Sequence, residues 1–372
     1  MLDRTLSIRL MLLIGKTVPL PASMTLLESI DQIEVTCSDV EGDGFQMRFA
    51  TKKENGVEYN ALSGSSLATG SRVIIGVYFG VIPHVLIDGV ITRRDISPAT
   101  SGEQATVSVT GKDLSLRLDL EQRKEFYPNQ PDSVIVTQIL SRYAQYGILP
   151  TVAPTTDVPI ITERIPRQNE TDLQFIKRLA QRNGYVFYLE PQTFGTSIAY
   201  WGPKIRTGIP QSALTLNMGD ATNVESLSFS DDGLASVATE GKFIETMSGQ
   251  ALPIPSLPSL RIPPLVASPA SPLRTELAED TSKKSSATAA ISLLAAMMNA
   301  PEPVQGSGTL NARQYGKVLR ARQLVGVRGA GQSFNGNYYV RSVTHTLKKG
   351  EYKQQFTIER EGLGSLTPVV IP

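Results

Sequence analysis

The stretch from Gln168 to Pro203, QNETDLQFIKRLAQRNGYVFYLEPQTFGTSIAYWGP, leaves the chain few options, because it writes a capped helix, a glycine stop and a strand pair in one run. Thr171 with Gln174 three places on is a capping box, in which both side chains satisfy backbone N–H groups that lack partners in a first helical turn. Leu173, Ile176, Leu179 and Ala180 recur at helical spacing as one apolar stripe. Lys177, Arg178 and Arg182 come late, where positive charge suits the helix dipole. Gly184 supplies the left-handed residue past the last turn. Tyr185 to Leu189 then reads as a strand, stopped by Glu190-Pro191, and Ser197 to Trp201 as its return.

Around this unit the pattern is β. From Ile33 to Gly111 short runs alternate with turns: Ile33 to Cys37 and Phe45 to Ala50 flank the turn Asp39 to Gly44, and Arg72 to Phe79, Val85 to Arg93 and Ala105 to Thr110 follow, the last after a loop at Ser97 to Glu103. Phe45, Met47 and Phe49 alternate with Gln46 and Arg48, the mark of a half-buried strand. Five or six short strands in this space suit a small barrel or sandwich over residues 1–115. Asp132 to Tyr146 predicts a second helix, capped by Asp132 and stopped by Gly147, with Ile135, Ile139 and Tyr143 one turn apart. With a strand at Pro159 to Ile165, these elements make an α+β middle domain over residues 116–205.

From Ala213 the β pattern returns, with Ala213 to Asn217, Val224 to Ser230 and Ala235 to Ile244, then breaks. Residues 244–314 hold no Phe, Tyr or Trp, and nine of the 24 prolines lie between Pro253 and Pro303. Residues 247–311 therefore read as an inserted arm: Gly249 to Pro272 extended and polyproline-like, dispensable for folding and open to protease, with one helix at Ala287 to Met298. Lys317 to Val327, Tyr338 to Leu347 and Glu351 to Arg360 resume the strands, the last two as a hairpin turning at Lys348-Lys349-Gly350. Residues 206–246 and 312–363 thus predict a second barrel, with a tail at 364–372. A faint repeat supports this. Val85 to Leu114 and Tyr338 to Leu363 each give a strand, a turn ending in Gly-Glu (Gly102-Glu103, Gly350-Glu351), a strand, then a Gly and a Leu.

Composition narrows the chemistry. The chain has 372 residues, with 41% hydrophobic and 19% charged, which predicts a globular protein of two to three domains. Basic and acidic side chains number 36 and 35, so no basic face for nucleic acid is expected. The lone Cys37 excludes an internal disulfide and suits a reducing cytoplasm. The apolar run Leu10 to Ile14 is short, follows Asp3 and precedes Lys16 with no small-residue cleavage site, so it reads as a first strand rather than a signal peptide. No run is long enough to span a membrane.

Motif by motif, the bland reading prevails. Gly15-Lys16-Thr17 ends like a phosphate loop, but Leu10 stands where the first glycine is needed. Gly329-Ala330-Gly331 opens a G-x-G-x-x-G, but Phe334 replaces the third glycine and a strand follows. Asp39-Val40-Glu41-Gly42-Asp43-Gly44 mimics half an EF-hand loop, yet Ala50 holds the twelfth position, so it predicts an acidic turn without calcium. His84 and His345 read as hydrogen-bonded strand residues. Cys37 lies beside acidic residues that would raise its pKa. Glu163, Glu170 and Asp172 fit helix capping better than a glycosidase pair. The aromatics Tyr185, Phe187, Tyr188, Phe194, Tyr200 and Trp201 predict core and subunit contact rather than a sugar platform. No catalytic, cofactor or metal residue is expected. A tail-associated cell-wall hydrolase or a carbohydrate-binding module are the alternatives.

The string DLQFIKRLAQRNGYVFYLEP with AYWGP, joined by GNYYVRSVTHTLKKGEYKQQFTIEREGL from Gly336 to Leu363, resembles the phage late control D proteins and the hub portion of VgrG-type proteins. The resemblance covers most of the chain outside residues 247–310. It implies a β-rich α+β fold with two related barrels, and a structural role in the baseplate of a contractile phage tail or injection particle. It implies a homotrimer joining a hexameric inner tube to a trimeric spike, resolving the symmetry mismatch. VgrG chains continue into a neck and spike; this sequence stops at Pro372, so the spike is expected as a separate chain.

Overall fold

The computed structural model describes residues 8–16, 18–51, 53–54, 58–59, 67–98, 105–159, 161, 164–193, 195–244, 251–254, 261–277 and 286–366. Its main element is one thirteen-stranded sheet. Twelve of those strands are numbered here: β1 (Ile8–Gly15), β2 (Ile30–Ser38), β3 (Gly44–Thr51), β4 (Arg72–Phe79), β5 (Ile82–Ser97) and β6 (Ala105–Asp113), then β7 (Gln211–Thr215), β8 (Ser226–Asp231), β9 (Val304–Asn311), β10 (Leu324–Arg328), β11 (Gly336–Lys348) and β12 (Glu351–Arg360). The two-residue strand Leu20–Pro21 pairs with the end of β1.

Neighbours in the first half run β1-β4-β5-β6-β3-β2, and in the second β7-β10-β11-β12-β9-β8. Five strands of one half therefore have counterparts six places on with the same pairing sense, while the first strands differ, β1 pairing antiparallel with β4 and β7 parallel with β10. The match extends to single residues. Pairing of β4 with β5 reaches Arg72 against Val90, and that of β10 with β11 reaches Leu324 against Tyr339. The next residue in each, Ile91 or Val340, exchanges two backbone hydrogen bonds with the segment before β4 or β10: Ile91 with Gly70 and Ser71, Val340 with Arg322 and Gln323. A bulge follows at Thr92 and at Arg341, and pairing resumes with Arg93 against Thr110 and Ser342 against Thr357. The hairpins carrying the sequence echo hold the same place in the two halves; the turn Gly102-Glu103 lies outside the described residues.

The halves join where β11 pairs antiparallel with β2, from Ser342 against Ser38 to Lys348 against Gln32. Each half keeps an apolar core. Ile33, Phe49 and Val107 centre the first, which also takes Leu347 and Tyr352 from the second half. Leu214, Tyr338 and Phe356 centre the other. Phe45, Met47 and Phe49 face inward while Arg48 is exposed, as their alternation predicts. Among the described residues neither half closes into a barrel, and the sheet stays open.

The middle section packs on α1 (Asp132–Ser141) and α2 (Asp172–Asn183) around Phe175, Ile176, Leu179 and Trp201. Thr171 caps α2 by accepting from Gln174 N–H at 3.3 Å, and Gly184 ends it at φ 67°. Three expectations are corrected. The helix read as Asp132 to Tyr146 ends at Ser141, continues as a tight turn at Ala144–Tyr146, and has Pro131 rather than Asp132 at its cap. The strand before α2 is Arg167–Thr171, pairing with Gln122–Phe126, and the described residues of the expected strand Pro159 to Ile165, at 159, 161, 164 and 165, are not in a strand; Pro166, with no N–H to give, joins this ladder only through its carbonyl, which accepts from the Tyr127 N–H at 3.0 Å. Residues 160, 162 and 163 lie outside the described set. The strand after Gly184 runs through Pro191 to Thr193, since it is an edge strand in the order Ile148–Val152, Thr196–Gly202, Val186–Thr193, where a missing N–H breaks no ladder.

The stretch read as an arm is more structured than its composition suggests. Val237–Ile244 pairs with Ala251–Ile254 and Arg274–Leu277, not with the large sheet. Val266–Pro269 pairs with Gly362–Ser365, and Leu265 and Val266 are buried. Short two- and three-stranded ladders accept proline wherever its nitrogen faces away from the partner. The helix appears as α3 (Ser286–Asn299), and β9 at the end of the same stretch is an inner strand of the sheet. No helix among the described residues is long and apolar enough to cross a membrane.

Candidate functional site

The densest polar chemistry lies where the β2–β3 turn, the middle section, the second half and the insertion meet. Arg322, before β10, is 2% exposed and held by both oxygens of Asp43, by the Ser38 carbonyl at 2.7 Å and over the Tyr188 ring at 4.3 Å. Burial works against its charge, yet Asp43 more than offsets this, so its pKa sits above the usual arginine value. Glu190, 3.6 Å away, is pushed up by burial against the pull of Arg322. Lys204 bridges Asp39 at 3.2 Å and Glu359 at 2.6 Å. Arg206 joins Glu302 and Glu361, and Arg261 joins Glu302; burial and the neighbouring Arg206 push Arg261 down to about 10.

These groups serve cohesion. Each acidic member faces a cation from another part of the chain, and removing one partner of such a pair strands a buried charge, at a cost of about 3–5 kcal/mol. Sequence reading missed Arg322, Lys204 and Arg206. Partners such as Asp43 and Arg322 stand 279 residues apart, a separation with no local period to betray it.

The residues singled out in the sequence are scattered rather than convergent. Asp39 and Asp43 of the acidic turn are taken by Lys204 and Arg322, which leaves no open carboxylate cage. His345, 1% exposed, meets the Tyr352 hydroxyl at 2.9 Å through Nδ1, and burial followed by Arg320 lowers its pKa to about 3. His84 lies edge-on to Phe79, its pKa lowered by burial and Arg320. Burial first and Asp43 second raise the Cys37 pKa, so the acidic neighbours act, but less than desolvation. Glu170 pairs with Arg178 at 2.7 Å. Asp172 accepts from Tyr143 and Gln168 inside the core instead of capping, which Thr171 does. Glu163 and Phe194 lie outside the described residues.

Trp201, Phe187 and Tyr188 are buried, with Trp201 donating to the Ile176 carbonyl at 3.2 Å and Tyr185 edge-on to it. The described aromatics of this cluster are buried or, at Tyr185 and Tyr200, half-buried, which makes them core rather than an open platform. Gly15 turns so tightly that a Cβ would sit 2.1 Å from the Val18 carbonyl oxygen; Thr17 lies outside the described residues. Gly329 and Gly331, both left-handed, form the β10–β11 hairpin loop. Among the described residues no cluster of His, Cys, Asp and Glu could hold a metal.

The fold is that of phage and prophage tail proteins. It matches the 43 kDa tail protein of prophage MuSo2 from Shewanella oneidensis with a TM-score of 0.64 at 16% identity, covering 95% of this chain and 99% of that one. A tail protein from Neisseria meningitidis MC58 matches at 0.62 and 14% identity, covering 96% and 98%. The E. coli c3393 protein, a type VI secretion component described as similar to the T4 tail proteins gp27 and gp5, matches at 0.56 and 14% identity, covering 92% and 77%. No family model matches the chain, and no curated protein does.

Proposed function

We propose that this chain is a structural baseplate hub subunit of a contractile tail or injection particle, not an enzyme, acting as a homotrimeric adaptor between a hexameric inner tube and a trimeric spike. The observation that carries it is the duplication: two six-stranded halves with one strand order and one bulge at the same place, Thr92 and Arg341. Three chains then offer six similar surfaces to a six-fold tube, while keeping three-fold symmetry for a spike. The shared tail-protein fold supports the same reading. In the particle the two halves act as the barrel-like modules of the ring, and the buried ion pairs at their meeting hold the protomer rigid.

Copy number tests it. Mass measurement of the protein with its spike, or electron cryomicroscopy of the particle, is expected to give three copies with the two halves at one radius and roughly 60° apart. Six copies, or halves at different radii, would sink the proposal.

A further inference from the structure

Inside one chain, the distal part of β11 pairs with β2 of the other half, which is how the sheet passes from half to half. The counterpart of that distal part is Arg93 to Ser97 of β5. It pairs with β6 on one side, and on the other side, past the bonds at Ile91, no described residue pairs with it. The counterpart of β2 is β8, which pairs with β9 on one side and ends the sheet on the other. One chain thus holds one joined copy of this junction and two unjoined halves of a second. The residues of both unjoined edges are exposed or half-buried.

The register of the second junction follows from the first. Ser342 corresponds to Arg93 through their pairing with Thr357 and Thr110, and Thr36 corresponds to Ser230 through their pairing with Gly44 and Gln305. Transferring the β11·β2 pairs sets Arg93 opposite Asp232, Arg94 opposite Asp231, Asp95 opposite Ser230, Ile96 opposite Phe229 and Ser97 opposite Ser228. Nothing in that transfer selects for charge, yet two arginines face two aspartates, and Ile96 faces Phe229. Charges on an edge strand usually ward off partners. Here they are matched in sign to one edge only.

We propose that the partner of the β5 edge is β8 of a second copy of this chain, added antiparallel in this register, so that each junction between copies repeats the junction within a copy. The interface is head-to-tail, and a head-to-tail contact closes into a ring when its rotation allows. Arg93, which in the free chain turns to Asp95 at 2.8 Å, gains Asp232 as a second anion. This rests on the trimeric reading above only for the number of copies in the ring.

The test is a disulfide trap. Asp95→Cys with Ser230→Cys places thiols on directly opposed residues, within the Cα separation a disulfide spans. Within one chain β5 and β8 are seven strand spacings apart along the sheet, on the order of 33 Å, and only a bond between chains adds the mass of a further copy. In the full chain, mild oxidation is expected to give a ladder of covalent species ending at three copies, absent from the wild type and from either single variant. Arg94→Asp or Asp231→Arg in that background is expected to abolish the ladder, and the two together to restore it, with circular dichroism confirming each fold. A ladder running on to six keeps the strand pairing and overturns the trimer. No cross-link in a protein that sediments as a trimer overturns the pairing and keeps the trimer. A protein that neither cross-links nor associates at any concentration reached overturns the pairing, as does a swap that fails to restore.

Discussion

The two halves of the sheet share strand order and the bulge at Thr92 and Arg341, but differ in the direction of their first strand and in what joins their second and third strands. In the first half, β2 and β3 meet through the short turn Asp39 to Gly44; in the second, residues 232–303 stand between β8 and β9. The short turn is a rigid ligand, delivering Asp43 to Arg322 and Asp39 to Lys204. The long one is a wrapping element that sends α3 against α2 and Arg261 and Glu302 to Arg206. Five strands of each half thus keep one pairing pattern, and the largest difference in length sits at a turn, where length does not disturb pairing.

The largest effect should come from the pair that spans the halves. Arg322→Ala strands Asp43 in the interior and is expected to cost about 3–5 kcal/mol in urea unfolding. Arg322 also sits at φ 64°, so Arg322→Gly should relieve backbone strain and lose slightly less. Equal stability of wild type and Arg322→Ala would show that the halves do not depend on this contact.

His345 offers a contrast in pH. Its counterpart in the first half is Ile96, exposed at the open edge, whereas His345 is buried neutral. Its folded pKa of about 3 lies below the ordinary 6.5, so between these values the unfolded chain binds a proton the native chain refuses. Stability should fall as pH drops from 6.5 towards 3, and His345→Gln should flatten that slope in thermal melts. An unchanged slope would assign the acid sensitivity to other groups.

A smaller loss is expected where the insertion docks. At Gly184 a Cβ would come within 3.0 Å of Met298 and 3.1 Å of the Ala295 backbone, on a left-handed residue. Gly184→Val should cost about 1–2 kcal/mol from the backbone alone, and limited proteolysis should show α3 loosened from α2. The smallest effect belongs to Gly70, the counterpart of Arg322, at φ 85° with nothing within 4 Å. Gly70→Asn should shift the melting midpoint by the equivalent of under about 1 kcal/mol, because asparagine tolerates this conformation.

Legibility in the sequence followed locality. The α2 cap and stop, the alternation of β3 and the hairpin at Gly350 depend on neighbours in the chain, so propensity and period revealed them. The insertion's strands did not show, because proline is a poor strand former and only the location of its pairing partner, such as Gly362 for Pro269, makes it acceptable. The ionic junction did not show either, being assembled from residues hundreds of positions apart. The duplication was visible only as a faint hairpin echo. Its strongest evidence is a pair of equivalent backbone sites occupied by unlike residues, Gly70 and Arg322.

That unlike pair has a consequence for inheritance. In a ring of one repeated module a substitution alters every junction at once, so a change that helps one contact must be tolerated at all of them. A chain carrying the module twice escapes this. One copy holds arginine at this site, tied to Asp43, while the other holds glycine with open space around it. Alternate positions around such a ring can drift apart, one becoming a fixed weld and the other a seam that opens for assembly.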